Sequence, residues 1–285
     1  MPSLKCQFKN ELKGRLVYGI SKHNATPKEL KEKIFSKSTL NAYIRHSETF
    51  VRFLKKNNLS VSTIEAAKQF VPAFLDAEIN AGKSSYTIKA EACALAKVYR
   101  CSSNDFGVDL PKRSRKKITN NRGKSEYAKH FSEIRHSDIV SFAKSTGLRR
   151  EGLNKVKGTD IRIDLNGKVL VHTKEKGGRE REVPMYFSDD AVYREALQIA
   201  IKHMGRDEKI FDHVSKAAPT HRYRRAYAQS LYEHLARDVS TLPTKELYIC
   251  RKELSGRKYD KLALKTVSEA LGHSRLNVVV NDYLN

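Results

Sequence analysis

A stretch of alternating apolar and polar residues between 161 and 185 constrains the fold of this chain more than any other segment. It contains Asn166-Gly167 and Gly177-Gly178, two pairs that suit tight turns. Asn-Gly between alternating apolar residues is the strongest short-range signal of a β-hairpin. Lys176 lies at the second bend. The pattern predicts three antiparallel strands: Ile161–Leu165, Lys168–Lys174 and Glu180–Met185.

Helical periodicity predicts a small α-helical domain ahead of this sheet. Thr26-Pro27-Lys28-Glu29 and Ser62-Thr63-Ile64-Glu65 each place an N-cap three residues before a Glu, as in a capping box, so each is expected to begin a helix. Pro72 is expected to kink or divide the second of these helices because it has no N–H to donate. Apolar residues at helical spacing predict further helices over Ser38–Lys56 and over residues 84–100.

The second half of the chain is expected to place helices around the sheet. The stretch 241–261 contains Pro and Gly and is expected to form a small hairpin or an extended insertion. The predicted fold is mainly α with a small three-stranded antiparallel sheet, in two domains, one helical and one α+β. The helices predicted in the second domain are Ser132–Ser145, one that ends near Val156, Asp189–Met204, Thr220–Asp238 and a last pair at the end.

Composition divides the chain into an arm, two domains and a linker. Residues 1–25 show no clear period and are expected to form a partly ordered basic arm, followed by the helical domain over 26–105. Residues 106–126 are rich in Ser, Asn, Gly and Pro and then basic, which is typical of a linker. Residues 127–285 form the second predicted domain. The linker residues that would lie along a DNA backbone are Lys112, Arg113, Arg115, Lys116 and Lys117.

The charge of the chain indicates a polyanionic partner. Its 55 Lys and Arg outnumber 32 Asp and Glu, and residues 1–125 alone carry 25 basic against 10 acidic side chains. Such an excess creates a positive field that attracts nucleic acid or an anionic membrane. The membrane is the weaker option because no basic amphipathic helix dominates and no apolar run approaches the ~20 residues of a bilayer span. Nucleic acid is therefore the favoured partner.

The cysteines and the N-terminus indicate a cytoplasmic protein. The four cysteines show no C-x-x-C spacing, so neither a zinc site nor a disulfide framework is predicted. Residues 1–20 lack the apolar centre of a signal peptide. We therefore expect reduced thiols and a location in the cytoplasm.

Arg149, His221 and Arg224 are candidate ligands of an anion. His221 and Arg224 are three residues apart at the start of a predicted helix, where they share a face and where free N–H groups favour an anion. Arg149 stands at another turn into a helix, after the apolar Leu148. Two guanidiniums from separate elements can clamp one phosphate bidentately. Taken singly, His221 is more often a cap or core histidine, and Arg224 is more often part of a surface ion pair.

Two further stretches supply groups that could act on a phosphodiester. Lys176 is a compact cation on a Gly-rich bend and suits proton transfer, although Gly177-Gly178 alone is a weak phosphate-loop signal. The stretch ALGHSRLNVVVNDYLN holds His273 after Leu-Gly and Tyr283 after an apolar run. Taken alone, it is an amphipathic element with a buried His and a packed Tyr. Together with the basic stretches upstream, it would suit one phosphodiester site.

In their order along the chain, these stretches resemble the catalytic motifs of the tyrosine recombinases, the phage integrase family. The resemblance covers about residues 132–285, and the helical front matches the family's core-binding domain in kind and position, though without a motif. One such motif would be weak, but the full set in register is highly specific. The matching pieces are TGLRREGLNKVKGTDI, KEKGGREREVP, THRYRRAYA and ALGHSRLNVVVNDYLN.

The resemblance implies a role for each residue that would contact the DNA phosphate. Arg149 and Arg224 would hold the scissile phosphate and stabilise the charge that builds on it, a contribution of several kcal/mol in a preorganised site. His221 and His273 would hydrogen-bond the same phosphate or move protons.

The remaining two residues would carry the bond-making and bond-breaking steps. Tyr283 would attack phosphorus and hold a 3′-phosphotyrosyl link until the 5′-hydroxyl of a second strand reverses the step. Lys176 would be the general acid for the 5′-oxygen leaving group. No metal or other cofactor is implied, because the arginines take the part that Mg²⁺ has in other phosphoryl transfers.

Two positions near the arginines depart from the family's pattern. The family usually has an acidic residue three positions after the first Arg, where this chain has Gly152, with Glu151 one position earlier. The supporting role of that carboxylate is therefore in question. Arg225 stands where the family often has a second His.

The spacing near the nucleophile also departs, and two assignments have rivals. Tyr283 is ten residues after His273, one more than in many relatives, which predicts a bulge or a shifted helix start. Lys174 is a rival for Lys176, disfavoured because strand alternation leaves the bend to Lys176. Spacing alone does not exclude other tyrosines, above all Tyr259.

The function that the resemblance implies is a site-specific DNA recombinase of the integrase or excision type. It would act on double-stranded DNA as a homotetramer that joins two duplexes, in a prokaryotic cell or mobile genetic element, with possible accessory DNA-bending or excision factors. A type IB topoisomerase-like relaxing enzyme is one alternative, disfavoured by the helical front domain. A catalytically inactive DNA-binding regulator is the other, disfavoured because a pure binder does not need a Tyr beside two Arg and two His.

Overall fold

The computed structural model describes residues 2–20, 22–114, 130–175 and 180–285, and of His23 only the backbone. It divides into two compact units, Met1–Ile118 and Thr119–Asn285, each with its own hydrophobic core. The predicted mainly helical fold with a small three-stranded antiparallel sheet is confirmed. The division falls within the stretch expected to be the linker, and the finer boundaries of arm, domains and linker stay predictions.

Helices make up the N-terminal unit. The helices and short 3₁₀ turns are, in order, α1 Leu4–Gly14, a turn at Lys22–Asn24, α2 Pro27–Glu32, α3 Lys37–Lys56, α4 Ile64–Ala67, a turn at Lys68–Phe70, α5 Val71–Asn80 and α6 Ser85–Tyr99. Their common core holds Phe50, Phe74 and Leu95, all fully buried.

Side-chain caps explain where these helices begin. Thr26 forms the predicted capping box with Glu29 at the start of α2. The Thr63 hydroxyl accepts a hydrogen bond from the Ala66 N–H and starts α4, a cap one residue later than the Ser62 pattern suggests. Pro72 divides the following segment as predicted, since α4 ends in a 3₁₀ turn and α5 begins with the proline in its first turn.

The first helix differs from the partly ordered arm expected for residues 1–25. The Ser3 hydroxyl caps α1 by accepting from the Cys6 N–H at 3.3 Å, and Phe8 and Leu12 are 1% and 0% exposed in the core. The Phe8 ring packs edge-on against Phe50, with centroids 5.9 Å apart. The arm expectation is wrong for residues 4–14. The apolar residues of this segment recur only every fourth position among polar residues, so its helical periodicity was too weak to predict a helix. Packing against the core stabilises the helix instead.

The C-terminal unit surrounds its sheet with helices. Its elements are a 3₁₀ turn at Ile134–His136, α7 Ser137–Thr146, α8 Arg150–Leu153, a turn at Gly158–Asp160, β1 Ile161–Ile163, β2 Val169–Lys174, β3 Glu180–Pro184, α9 Asp190–His203, α10 Thr220–Leu235, a turn at Thr244–Glu246, β4 Leu247–Ile249, a turn at Lys252–Leu254, β5 Lys258–Asp260, α11 Lys261–Ala270, α12 Leu276–Val279 and a π-helical turn at Val280–Leu284.

The three-stranded sheet has the predicted antiparallel order, and β1 ends at Ile163, two residues before the predicted end of the strand. Strands β1, β2 and β3 pair antiparallel in sequence order, with Val171 opposite both Ile161 and Val183. Gly167 turns the first hairpin with φ of 76°, a conformation that favours glycine. The buried face of β2 carries Val169, Val171 and Thr173, and the same alternation continues to Glu175, which is 5% exposed. The second bend, with Lys176, lies outside the described residues.

Helix α10 connects the sheet to the helical side of the unit. It packs on α7, on α11 and on the π-helical turn that ends the chain. Tyr223 and Tyr227 are completely buried, and the Tyr227 hydroxyl donates to the Pro184 carbonyl of β3 at 2.8 Å. This helix therefore fixes the position of α7 relative to β3 and to the C-terminal segment.

The stretch 241–261 forms the small hairpin that the sequence allowed, and Asp260 anchors it. Strands β4 and β5 pair antiparallel. Asp260 is 0% exposed, accepts from Arg237 Nε at 2.8 Å and Nη2 at 2.9 Å, and caps α11 through the Leu262 N–H. The Arg237 hydrogen bonds hold the pKa of Asp260 well below its ordinary value. One carboxylate thus joins the end of α10, the hairpin and the start of α11.

No helix within the described residues is long and apolar enough to cross a membrane.

Replacing Asp260 by Ala is expected to lower the free energy of unfolding by about 2–4 kcal/mol, because it removes a helix cap and the partner of a half-exposed Arg. Because the pKa of Asp260 is lowered, its ionised carboxylate stabilises the fold at neutral pH. This stabilisation is lost as the pH falls below the pKa of an ordinary Asp and toward the folded-state pKa of Asp260. Urea unfolding followed by circular dichroism measures both. Glu233→Ala, on an exposed face of α10, is the control and should change stability by less than about 0.5 kcal/mol. Equal effects of the two variants would contradict the anchoring role.

Candidate active site

The turn between α7 and α8 places Arg149. Gly147 ends α7 with φ of 59°, and a Cβ there would lie 2.4 Å from Cδ1 of the Tyr227 ring. Both the left-handed backbone and the close approach require glycine. Leu148 then enters the core at 0% exposure, as expected of an anchor. Arg149 follows as the N-cap residue of α8, with its side chain 25% exposed.

A buried glutamate fixes the orientation of Arg149. Glu175 Oε1 accepts from the Arg149 backbone N–H at 2.7 Å, and Oε2 accepts from Nη1 of the same residue at 2.6 Å. The carboxylate needs room to reach α8, and Gly152 provides it, since a Cβ there would lie 2.4 Å from Glu175 Oε1. The backbone and guanidinium of Arg149 thus share one carboxylate.

Arg181 links this carboxylate to the turn after α11. Its Nη2 donates to Glu175 Oε2 at 2.8 Å, and its Nε donates to the Ala270 carbonyl at 2.8 Å. Burial raises the pKa of Glu175, but the charges and hydrogen bonds of Arg181, with those of Arg224 and Arg149, outweigh burial and leave the pKa below its ordinary value. Glu175 is therefore an ionised carboxylate at neutral pH.

Arg224 lies at the centre of the site and is 1% exposed. Its Nη1 donates to the Gly147 carbonyl at 2.5 Å, its Nη2 donates to the Leu271 carbonyl, and its Nε donates to the Tyr283 hydroxyl at 3.1 Å. Burial lowers the pKa of this guanidinium, although not enough to discharge an arginine. The sequence suggested a surface ion pair as the ordinary fate of this residue, and the structure instead buries it against carbonyls and a phenol.

The Leu-Gly-His turn places His273 against the same hydroxyl. Gly272 has φ of 68°, and the His273 N–H donates to the Ser268 carbonyl at 2.8 Å. His273 Nε2 lies 3.2 Å from the Tyr283 hydroxyl. Burial, and then the charges of Arg224 and Arg149, lower the pKa of His273 to about 4. The imidazole is thus neutral at pH 7 in the free protein and is able to accept a proton.

A π-helical turn carries Tyr283. Helix α12 passes directly into this turn over Val280–Leu284, and Tyr283 is 8% exposed. A π-helical turn holds one more residue than an α-helical turn, and such turns are frequent at functional sites. The predicted bulge between His273 and Tyr283 is therefore confirmed, and the extra residue is accommodated without moving the hydroxyl away from Arg224.

The structure brings four of the six predicted catalytic residues together. Arg224, His273 and Tyr283 are in direct contact, and Arg149 is close enough to affect the pKa of His273 and Arg224. His221 is exposed on the first turn of α10, three residues before Arg224. Lys176 lies outside the described residues. The six assignments stay predictions of function.

The rival residues occupy other places. The Lys174 ammonium is exposed and pairs with Glu180 at 2.8 Å across the sheet. Tyr259 lies on β5 and packs edge-on against Tyr232, with ring centroids 5.8 Å apart. The hydroxyl that Arg224 and His273 contact is that of Tyr283, which favours Tyr283 as the nucleophile.

Sequence reasoning missed Glu175 and Arg181, and it noted Arg225 only as a departure from the family's pattern. Alternation along β2 was a signal for Glu175, because it places a carboxylate on the buried face, where it needs cationic partners. Arg225 Nη1 and Nη2 donate to the carbonyls of Asp282 and Asn285 at 3.4 and 2.7 Å. The residue at the family's second-His position thus holds the backbone on either side of Tyr283.

The linker residues are described only in part. Lys112 and Arg113 are exposed, and the Arg113 guanidinium lies 5.3 Å from the centre of the Tyr86 ring. Arg115, Lys116 and Lys117 lie outside the described residues. Within the described part of the chain, no group of three His, Cys, Asp or Glu side chains is arranged to hold a metal ion.

Histidine NMR titration is expected to show one of the ten histidines with a pKa near 4, and this signal should be missing in His273→Gln. Because the folded-state pKa lies below the ordinary value of 6.5, the unfolded state binds the proton more tightly. The free energy of unfolding should therefore decrease as the pH falls from about 6.5 toward 4, with a smaller slope in His273→Gln. An ordinary pKa for His273 would contradict its burial beside the Tyr283 hydroxyl in the field of Arg224 and Arg149.

Comparison with known proteins places this geometry in a family. The profile of the phage integrase family matches residues 118–285. No curated protein sequence matches the chain. The XerH site-specific recombinase bound to palindromic difH substrate, in a post-cleavage complex, is 15% identical with a TM-score of 0.51, over 98% of this chain and 90% of that one. The Tn1549 transposon integrase in complex with a circular intermediate DNA is 14% identical with a TM-score of 0.44, over 99% and 95%.

The likeness to XerH shows the fold, and the profile match shows the family because it covers more than half of the chain. The predicted recombinase class, with DNA as partner and breaking and rejoining of DNA strands as activity, is confirmed at the level of the family. The chain belongs to the phage integrase family, the tyrosine recombinases.

Proposed function

We propose that this chain is a site-specific integrase or excision enzyme in which Tyr283 is the nucleophile and Arg149 and Arg224 hold the scissile phosphate. The observation that carries the proposal is the position of the Tyr283 hydroxyl, 3.1 Å from Arg224 Nε and 3.2 Å from His273 Nε2. A phenol held by a guanidinium and a neutral imidazole can lose its proton to the imidazole while the cation stabilises the oxyanion.

The cleavage step is a transesterification. The Tyr283 oxygen attacks phosphorus, the bond from phosphorus to the 5′-oxygen breaks, and a 3′-phosphotyrosyl link forms. His273 accepts the phenolic proton, and Lys176 donates a proton to the departing 5′-oxygen. A 5′-hydroxyl from another strand then attacks the same phosphorus and releases Tyr283, so both proton transfers run in reverse.

The arginines supply the electrostatic stabilisation. The phosphate gains negative charge on its non-bridging oxygens as the fifth ligand approaches, and Arg149 and Arg224 stabilise this charge in a site that excludes most water. The hydrogen-bond acceptors of Arg224 are two carbonyl oxygens and one hydroxyl oxygen. The Glu175 carboxylate is shared by Arg149 and Arg181. The excess of cations over carboxylates favours a bound phosphodiester. His221 is exposed at the N-terminus of α10 and supports the same phosphate.

Several features of the proposal extend beyond one active site. We infer that the chain acts as a homotetramer on two duplexes, in the cytoplasm of a prokaryotic cell, on the DNA of a mobile genetic element and with accessory bending or excision factors. Recombination of two duplexes requires four DNA strands to be cut and rejoined. Each protomer has one Tyr283 and can therefore cut one strand. Lys112, Arg113, Arg115, Lys116 and Lys117 are proposed to contact the DNA backbone, which binds basic side chains without reading sequence.

Tyr283→Phe is expected to abolish formation of a covalent protein–DNA complex while leaving DNA binding unchanged, because it removes only the attacking oxygen. A duplex selected from a randomised library by the Tyr283→Phe variant supplies the substrate. A set of such duplexes, nicked at successive positions, then traps the covalent intermediate. Cleavage near a nick releases the short fragment that carries the free 5′-hydroxyl, so the strand is not rejoined. Denaturing gels in EDTA score the covalent band.

Tyr259→Phe is the matched control and should give the wild-type band. A band that persists in Tyr283→Phe and disappears in Tyr259→Phe would show that the nucleophile is Tyr259. DNA binding without a covalent band in either variant or the wild type would support an inactive regulator. Relaxation of a supercoiled plasmid that lacks the selected site would support a topoisomerase-like enzyme.

Lys176→Ala is expected to cleave an ordinary substrate about 10²- to 10⁴-fold more slowly, the usual contribution of a general acid. On a duplex with sulfur in place of the 5′-bridging oxygen, the defect should nearly disappear, because a thiolate leaves without protonation. Lys174→Ala is the control and should cleave both substrates at close to the wild-type rate. If Lys174→Ala is slow on the ordinary substrate and normal on the sulfur substrate, and Lys176→Ala shows no defect, then Lys174 is the residue that protonates the 5′-oxygen.

A further inference from the structure

The carboxylate nearest to Arg149 comes from a different part of the chain than the family's pattern provides. Three positions after Arg149 the chain has Gly152, which carries no acidic group. Glu175, 26 residues away and just after β2, binds both the backbone N–H and the guanidinium of Arg149. Its side chain is 1% exposed.

The space at Gly152 and the position of Glu175 depend on each other. A Cβ on Gly152 would lie 2.4 Å from Glu175 Oε1, closer than a Cβ approaches another heavy atom, so the carboxylate would have to move. Gly152 lies within α8 and has no left-handed backbone that would itself demand glycine. A glycine in a helix costs about 1 kcal/mol relative to Ala. The absent side chain is therefore explained by the carboxylate that occupies its place.

The three hydrogen bonds of Glu175 connect Arg149 to the turn that carries His273. One oxygen accepts from the Arg149 backbone, and the other is shared by Arg149 Nη1 and Arg181 Nη2 at 2.6 and 2.8 Å. Arg181 in turn donates to the carbonyl of Ala270, three residues before His273. The 25% exposed guanidinium of Arg149 has further N–H groups that can reach a phosphate while Nη1 stays on Glu175.

We propose that Glu175 is the positioning residue of Arg149, a carboxylate relocated from the position of Gly152 to the end of β2, and that it holds the guanidinium in the orientation that binds the scissile phosphate. Glu175 hydrogen-bonds Arg149 and Arg181 and not Tyr283, and its main effect on cleavage passes through Arg149. The inference rests on the proposed function of Arg149.

The first test is a double-mutant cycle on the nicked selected duplex, with single-turnover cleavage as the readout. Glu175→Ala should slow cleavage about 10- to 100-fold, because a small misplacement of a phosphate ligand has effects of this size. In an Arg149→Ala background the same change should slow cleavage less than about 3-fold, because the route through Arg149 is gone and only the contact with Arg181 remains. Equal slowing in both backgrounds would overturn the inference.

The second test moves the carboxylate back. Gly152→Glu alone should slow cleavage, because its side chain collides with Glu175 and adds a second negative charge. Combining it with Glu175→Gly frees the space, and the double variant should cleave at least about 10-fold faster than Glu175→Ala. A purely structural role of Glu175 predicts no such recovery. If Glu175→Ala fails to fold, Glu175→Gln against the double variant tests the same point, and a double variant no faster than Glu175→Gln would overturn the inference.

Glu182→Ala is the matched control. Glu182 lies on β3 and forms an exposed ion pair with Arg162, so its loss should leave cleavage at the wild-type rate. Thermal unfolding and DNA affinity, measured for every variant, separate loss of fold and loss of binding from slow chemistry. If the wild type forms no covalent complex, the proposed function itself fails. If the wild type cleaves and Glu175→Ala cleaves equally fast, only the inference about Glu175 fails.

Discussion

The buried guanidinium of Arg224 is the interaction on which the C-terminal unit depends. Moving a cation out of water is costly unless its N–H groups find acceptors. Arg224 finds the Gly147 carbonyl after α7, the Leu271 carbonyl after α11 and the Tyr283 hydroxyl on the π-helical turn. One side chain thereby holds together the segments at residues 147, 271 and 283. Because its hydrogen-bond partners are neutral oxygens, its positive charge stays available to a phosphate.

The same requirement for partners organises the rest of the site. Arg149 and Arg181 share Glu175, which leaves two cations for one carboxylate. This arrangement keeps the carboxylate ionised while the local charge stays positive. His273 lies in that positive field and is neutral at pH 7 in the free protein. Preorganised charges of this kind stabilise a transition state without reorganising during the reaction.

The two departures from the family's pattern that lie nearest the nucleophile have a common physical explanation. The additional residue before Tyr283 would rotate an α-helical turn by about 100°. A π-helical turn over Val280–Leu284 takes up that residue instead. Arg225 then holds the carbonyls of Asp282 and Asn285 with a longer side chain than the histidine that often stands there. The Tyr283 hydroxyl thereby lies within hydrogen-bond distance of Arg224 Nε and His273 Nε2.

Local patterns of the sequence were sufficient for most of the fold and for the residue types of the site. Capping boxes, helical periodicity, the Asn166-Gly167 turn and the strand alternation depend on neighbouring residues, so they were predictable. The motifs with Arg149, Arg224, His273 and Tyr283 were recognised by their resemblance, taken together, to those of a known family. The tertiary structure decided the helix at residues 4–14, the burial of Arg224 and the partnership of Glu175 with Arg149 and Gly152. These features depend on packing between segments that are distant in sequence. The available space and the need to pair a buried charge determine which residues come into contact, and a local sequence pattern does not contain that information.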